Sequence, residues 1–207
     1  MKKPQFSKKE AVKFGFGIAK NNILFFIGLL IIVVFVSVLT SALRNGVQKA
    51  ALAYLVFTVV QYLVNTVVAM GLIKISLEFV AKVKPRIRDI VYYKPIVKYV
   101  LASIASGVIV FVGFILLIIP GIILAVRLQY ATYLIVDKNL GPIEALKTSW
   151  KLTRGNTWNL FFFGILLGLI NILGVLCLVV GLFVTVPLGM VATTFVYRKL
   201  LLQSEAA

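Results

Sequence analysis

The sequence predicts an all-α fold, a polytopic helical membrane bundle of about six transmembrane helices with amphipathic helices at the membrane interface. Hydrophobic residues make up 61% of the 207 positions and charged residues only 14%, a composition whose apolar surface polar residues could not cover in water. Several uncharged runs reach the roughly 20 residues that a helix needs to cross a bilayer. These runs are continuously apolar and lack the alternation of barrel strands, which favours helices.

The chain forms a single membrane domain, residues 1–207, that begins with a basic amphipathic segment. Residues 1–22 predict a helix, because Ser7 and Glu10 have the spacing of a capping box. Val12, Phe16 and Ala19 then share one side of this helix, with lysines elsewhere. We predict two spans after this helix, at residues 23–43 and 50–73, and then a basic segment at residues 74–98.

Two longer apolar stretches follow, residues 99–136 and 158–198, and each is too long for a single span. We expect each to be an out-and-back hairpin of two spans. Pro120 and Gly121 are the expected helix break of the first hairpin, and Pro187 is the expected break of the second. Residues 137–157 lie between the hairpins and predict an amphipathic helix with Pro142 in its first turn.

Lysine and arginine residues orient this bundle, because short loops rich in them stay on the cytoplasmic side. Of the 22 such residues, 19 fall in segments on one face, whereas only Arg44 and Lys49 fall on the other. Both termini are therefore expected in the cytoplasm, with the protein in the cell (cytoplasmic) membrane. The charge is spread over juxtamembrane loops without a nucleic-acid motif, so we expect anionic lipid and no nucleic acid as partner.

Catalysis has no visible apparatus in this sequence. The chain has no histidine and a single cysteine, Cys177, which excludes zinc sites and histidine-based triads. Its polar loops are too short for a soluble catalytic domain, and it has neither a Walker loop nor a serine elbow. We therefore expect no catalytic residue, no metal and no cofactor, and a protein that is not an enzyme.

One charge, that of Arg127, lies inside a predicted span that contains no carboxylate. Intramembrane charges are expensive and often mark an ion, substrate or lipid path. Three interpretations stay open: the arginine binds an anion or lipid, it caps a broken helix end or extends toward the interface, or it has a gating or coupling role. Polar residues expected to share a core with it are Gln129, Gln61, Asn65 and Asn171, although such amides can also simply join helices.

Other features indicate how the helices sit and associate. Trp150 and Trp158 fall where the interface should be, so we expect them to be interfacial anchors. Gly164 and Gly168 form a GxxxG pattern that permits close helix approach, within the chain or between chains.

From about Leu77 onward, some 60% of the chain resembles a group of uncharacterised prokaryotic multi-span membrane proteins. That group is related to the membrane domain of some glycerophosphoryl diester phosphodiesterases and to the YciC-type family. The residues that carry the resemblance are Ile119-Pro120-Gly121-Ile122, Arg127, the stretch Glu144-Ala145-Leu146-Lys147-Thr148-Ser149-Trp150, Gly155 with Trp158, and Pro187 with Tyr197. The resemblance implies a helical multi-span protein. It transfers no catalytic residues, because the catalytic part of those phosphodiesterases is a separate soluble barrel.

Three function classes follow from these features. The leading hypothesis is a non-enzymatic membrane protein that binds, or helps to transport, anionic lipid or another amphiphile. A membrane scaffold or subunit that binds a protein partner, or a second copy of this chain, is the first alternative. A small transporter is the second alternative.

Overall fold

A computed structural model describes residues 6–46, 50–177 and 181–205, and all regular secondary structure in these ranges is helical. The all-α class is therefore confirmed. In chain order the helices are α1 (Lys8–Asn21), α2 (Ile23–Gly46), α3 (Ala51–Val80), a 3-10 helix (Ile87–Ile90), α4 (Ile96–Leu116), α5 (Ile118–Leu128), α6 (Ala131–Lys138), α7 (Pro142–Thr153), α8 (Thr157–Leu176) and α9 (Leu182–Glu205).

Five of the described segments are long and apolar enough to cross a membrane, namely α2, α3, α4, α8 and the α5–α6 stretch Ile118–Lys138. The last helix, α9, is not among them. Its second half carries charged residues, Arg198 and Lys199 among them, and these lower its hydropathy. Residues 178–180, in the turn before α9, lie outside the described residues. The sixth span therefore stays a prediction.

Helix α1 begins at the residue that the capping pattern predicts. Ser7 is its N-cap, and the Ser7 hydroxyl accepts a hydrogen bond from the backbone N–H of Glu10 at 3.4 Å. The face that this helix buries consists of small residues spaced by four, Ala11, Gly15 and Ala19. Such a stripe lets two helix backbones approach closely.

The small-residue stripe of α1 packs along α9. A Cβ at Gly15 would lie 2.6 Å from the carbonyl oxygen of Leu188, so a larger residue would force the two helices apart. Phe14 stacks on Phe195, with ring centroids 4.7 Å apart. The sequence placed Phe16 on the same side of α1 as Ala19; in the structure Ala19 is buried, whereas 48% of Phe16 is exposed.

Helices α4 and α5 form the first hairpin, but its break differs from the expected one. The helical path is interrupted at Leu117, which is extended, and α5 starts at the next residue. Pro120 is therefore the third residue of α5, where its missing N–H breaks no intrahelical hydrogen bond. Gly121 has a packing role, because a Cβ at Gly113 would lie 3.0 Å from the Gly121 Cα.

Helices α8 and α9 pack against each other as the second hairpin. Contrary to the prediction, Pro187 does not break a helix, because it lies buried inside α9. There it removes only the hydrogen bond that its own N–H would make one turn back. Glycines bring the two helices together near the turn, since a Cβ at Gly181 would lie 2.7 Å from the Gly174 Cα.

Helix α3 continues to Val80, beyond the predicted span, and the 3-10 helix folds back against it. A Cβ at Gly71 would overlap the Ile90 carbonyl, so this contact requires glycine. The Lys74 ammonium lies 3.6 Å from a carboxylate oxygen of Asp89 and strengthens the attachment.

The core is concentrated around α6, α7 and α9, to which α1 and α3 add side chains. Tyr130 and Tyr197 are fully buried there, with ring centroids 5.6 Å apart. The outer faces of α2, α4 and α8 expose large aliphatic and aromatic side chains, as lipid-facing surfaces do. This pair of rings joins the turn between α5 and α6 to α9.

Candidate functional site

Arg127 lies in the last turn of α5, where the α5–α6 stretch is interrupted. The helix ends at Leu128 and resumes at Ala131, with Gln129 and Tyr130 in a turn between them. Such an interruption frees backbone donors and acceptors, and in apolar surroundings these groups need new partners.

Hydroxyl groups from α7 supply the missing partners. Ser149 donates to the Arg127 carbonyl at 2.7 Å and accepts from the Tyr130 N–H at 3.2 Å, so one side chain bridges the break. Thr153 donates to the same Arg127 carbonyl at 3.3 Å. Ser149 and Thr153 are fully buried. Helix α7 therefore holds the interruption in a fixed geometry.

The guanidinium of Arg127 has different partners from its carbonyl. It lies 4.3 Å from the ring centroid of Trp150, at cation–π distance. Its Nε donates to the Thr157 hydroxyl at 3.4 Å. None of the ion pairs found in the described ranges includes Arg127. The positive charge is therefore positioned by an aromatic ring and a hydroxyl, without a carboxylate to neutralise it.

An apolar cavity of about 360 Å³ lies beside this arginine, between α4, α5 and α7. We call it the α7 cavity; it is lined by Ile109, Leu128, Leu146, Lys147, Trp150 and Lys151. The two lysines are one helical turn apart and exposed, so they share an edge of the cavity. Aliphatic walls with a cationic edge match the two parts of an anionic amphiphile.

Three buried polar groups near the break have no hydrogen-bond partner among the described residues. They are the Gln129 Nε2, the Tyr130 hydroxyl and the Asn156 Nδ2. Gln129 and Tyr130 form the turn itself, and Asn156 directly precedes Thr157. Buried polar groups in proteins are nearly always hydrogen-bonded. None of these three residues lines the α7 cavity.

Comparison with known families assigns the chain to a group by sequence. The model of a domain of unknown function, DUF7847, matches residues 22–206. The chain belongs to the DUF7847 family. The match includes the α5–α6 break, α7 and both lysines of the α7 cavity. No curated protein and no solved structure matches the chain.

Of the polar residues expected to share a core with Arg127, only Gln129 lies at the same helix break in this DUF7847 chain. Gln61 donates to the Ser41 hydroxyl at 3.0 Å and so joins α3 to α2. Asn65 is exposed, and Asn171 faces α9 at Gly189. No described hydrogen bond connects these side chains to Arg127. Helical spacing placed each residue on a face, but could not show which helix that face meets.

The two tryptophans differ in their contacts. Trp158 is 60% exposed and touches Phe161 edge-on, with ring centroids 5.9 Å apart. That exposure fits an interfacial anchor. Trp150 is 37% exposed, contacts Arg127 and lines the α7 cavity. Its position gives it a part in the site as well as at the interface.

The hydroxyl residues of the site, Ser149, Thr153 and Thr157, were missed by the sequence reasoning. They are spaced by four, and each threonine also donates to the carbonyl one turn earlier, at 2.9 Å for Thr153 and 3.5 Å for Thr157. Ser149 and Thr153 follow one side of α7, whereas Thr157 is the first residue of α8, beyond the turn at Gly155. The role of these hydroxyl groups depends on the break between α5 and α6, which the sequence did not locate.

Proposed function

We propose that this DUF7847 chain is a non-enzymatic integral membrane protein that binds an anionic amphiphile, foremost a phosphate-bearing lipid, at the α7 cavity. The observation that carries the proposal is the uncompensated guanidinium of Arg127, which contacts a residue of the cavity wall, Trp150. A charge inside a membrane protein is costly without a partner. Phosphate oxygens form short, charge-assisted hydrogen bonds with guanidinium groups and would supply that partner.

The wall and the edge of the cavity would contact different parts of the ligand. Ile109, Leu128 and Leu146 offer aliphatic contact to an acyl chain. Lys147 and Lys151 lie at the edge, where they attract an anionic headgroup. Each basic residue near an anionic lipid surface contributes about 1 kcal/mol. A zwitterionic lipid of the same chain length gains less from these charges and binds more weakly.

The proposal includes a topology with both termini and the α6–α7 segment in the cytoplasm of a prokaryotic cell. The 19 to 2 distribution of lysine and arginine between the two faces supports it. The cytoplasmic leaflet is rich in anionic lipid, so the ligand and the lysines would lie on the same side. Kinship with the membrane domain of glycerophosphoryl diester phosphodiesterases and with the YciC-type family is part of the proposal, and α9 is its sixth span.

Native mass spectrometry of the detergent-solubilised protein, titrated with phosphatidylglycerol, tests the binding site. We expect Arg127→Ala to weaken the site about tenfold, as loss of a charge-assisted contact does. Lys147→Gln with Lys151→Gln should weaken it about 30-fold, from about 1 kcal/mol per lysine.

The matched control is Lys9→Gln with Lys13→Gln. These lysines are also exposed, lie one turn apart on a basic helix and line no described cavity. The control should bind as the wild type does. Equal phosphatidylglycerol affinity of the wild type and both site variants would refute the proposal, as would equal affinity for phosphatidylcholine.

A second candidate function, association with a membrane partner, has a specific observation in its favour. A Cβ at Gly164 or Gly168 would meet nothing within 4 Å, and both glycines are exposed on α8. The GxxxG pattern is therefore not used for packing within the described residues, whereas Gly113 and Gly174 are. Its open face suits another copy of this helix.

A further inference from the structure

A second cavity, of about 510 Å³, lies where α1 turns into α2, and it shares no lining residue with the α7 cavity. We call it the elbow cavity. Its apolar wall comes from three helices and its cationic edge from the loop after α3; the residues concerned are Phe14, Ile18, Phe25, Phe79, Lys82 and Lys84. The volume falls within the roughly 300–1,000 Å³ of typical small-molecule sites.

The loop that carries the two lysines has an unusual backbone. Lys82 has φ 58, in the left-handed region, and its N–H donates to the Phe79 carbonyl at 3.1 Å. The Val83 N–H donates to the Glu78 carbonyl at 2.9 Å. These two bonds form a Schellman motif at the end of α3, in which the left-handed position normally holds glycine. A lysine held there against backbone preference indicates a use for its side chain.

The cationic edge of the elbow cavity has no counter-charge in the part of the chain that the structure describes. None of its ion pairs includes Lys82 or Lys84. Glu78, the carboxylate closest in sequence, lies 3.9 Å from the Lys74 ammonium. The cavity therefore combines an aromatic and aliphatic wall with two ammonium groups that remain available to an anion.

We infer that the elbow cavity binds one anionic glycerophospholipid from the surrounding bilayer. Its phosphate contacts Lys82 and Lys84, and one acyl chain packs on the wall formed by Phe14, Phe25 and Phe79. Charge complementarity selects an anionic headgroup, and the apolar wall selects a ligand with a chain over a free phosphate compound. The inference is independent of the α7 cavity, because the two sites draw on different residues.

The variant Lys82→Gly with Lys84→Gln tests this site without endangering the fold, because glycine is the preferred residue at a left-handed helix end. Native mass spectrometry with phosphatidylglycerol should show binding at this site about 30-fold weaker, since each lysine near an anionic headgroup contributes roughly a factor of five. Arg88→Gln with Lys94→Gln is the control: it removes two exposed charges from the same segment, lines no described cavity and should leave affinity unchanged. A second variant, Ile18→Trp, fills the cavity and should also lower lipid binding.

Three results would overturn the inference. Equal phosphatidylglycerol binding by the wild type and the double variant would show that the lysines hold no headgroup. Equal binding of phosphatidylcholine would show that charge is not recognised. Equal binding of glycerol 3-phosphate, which lacks acyl chains, would make the ligand a free phosphate compound. Loss of one bound lipid in the Lys82→Gly with Lys84→Gln variant, with none lost in Arg127→Ala, would support the elbow site while refuting the proposed function.

Discussion

Replacing Ser149 with alanine should destabilise the protein, because its hydroxyl serves both sides of the α5–α6 break. The variant leaves the Tyr130 N–H without its 3.2 Å acceptor, while the Arg127 carbonyl keeps only the 3.3 Å bond from Thr153. A buried unsatisfied group costs about 1–3 kcal/mol, and the lost second bond adds about 0.5–1.5 kcal/mol. We expect a total of about 1.5–4.5 kcal/mol.

For a chain of this length that loss lowers Tm by about 3–18 °C, at roughly 2–4 °C per kcal/mol. Intrinsic tryptophan fluorescence during heating is a suitable assay, because one of the two tryptophans, Trp150, contacts Arg127 at the break. Ser106→Ala is the matched control, since the Ser106 hydroxyl is buried without a described partner. Its loss should leave Tm unchanged or slightly raised. Equal Tm values for the two variants would refute the bridging role of Ser149.

Two further predictions concern glycines with opposite surroundings. Gly71→Ala should destabilise the protein by more than about 2 kcal/mol, since its Cβ would overlap the Ile90 carbonyl. Gly164→Ala should not destabilise the protein, because a Cβ there meets nothing within 4 Å. Equal shifts of Tm in the two variants would contradict this prediction. If α8 self-associates, mild oxidation in membranes should crosslink two chains through the exposed Cys177 at the end of this helix. Gly164→Ile with Gly168→Ile should abolish that crosslink, and a dimer band that persists would count against association through this face.

The sequence predicts the start of a helix correctly where residues close together in the chain determine it. Ser7 and Glu10 specified the start of α1, because capping depends on residues three apart in the chain. Pro142 lies at the start of α7 for a similar reason. The apolar runs likewise placed the starts of α2 and α3 to within a residue, although α3 continues to Val80 instead of ending at residue 73.

The breaks were harder to place, because they depend on tertiary contacts. Proline can end a helix or occupy its first turn, and Pro120 lies in the first turn of α5 while Leu117 forms the break. Nothing in the sequence around Gln129 and Tyr130 indicates an interruption. It exists because Ser149, remote in sequence, can accept and donate at once. A prediction made from the α5–α6 segment alone cannot include Ser149, which stabilises the break in that segment.

Arg127 has separate backbone and side-chain contacts, and the sequence left three interpretations of its side chain open. Its carbonyl is capped by Ser149 and Thr153 at the helix end, a contact that does not involve the arginine side chain. Its guanidinium belongs to neither the cap nor an ion pair in the described ranges; it lies on Trp150, beside the α7 cavity. Arg127→Ala therefore retains the capped carbonyl but removes the guanidinium, together with its contacts to Trp150 and the Thr157 hydroxyl. Ser149→Ala does the reverse, so comparing the two variants separates binding from stability at a single helix break.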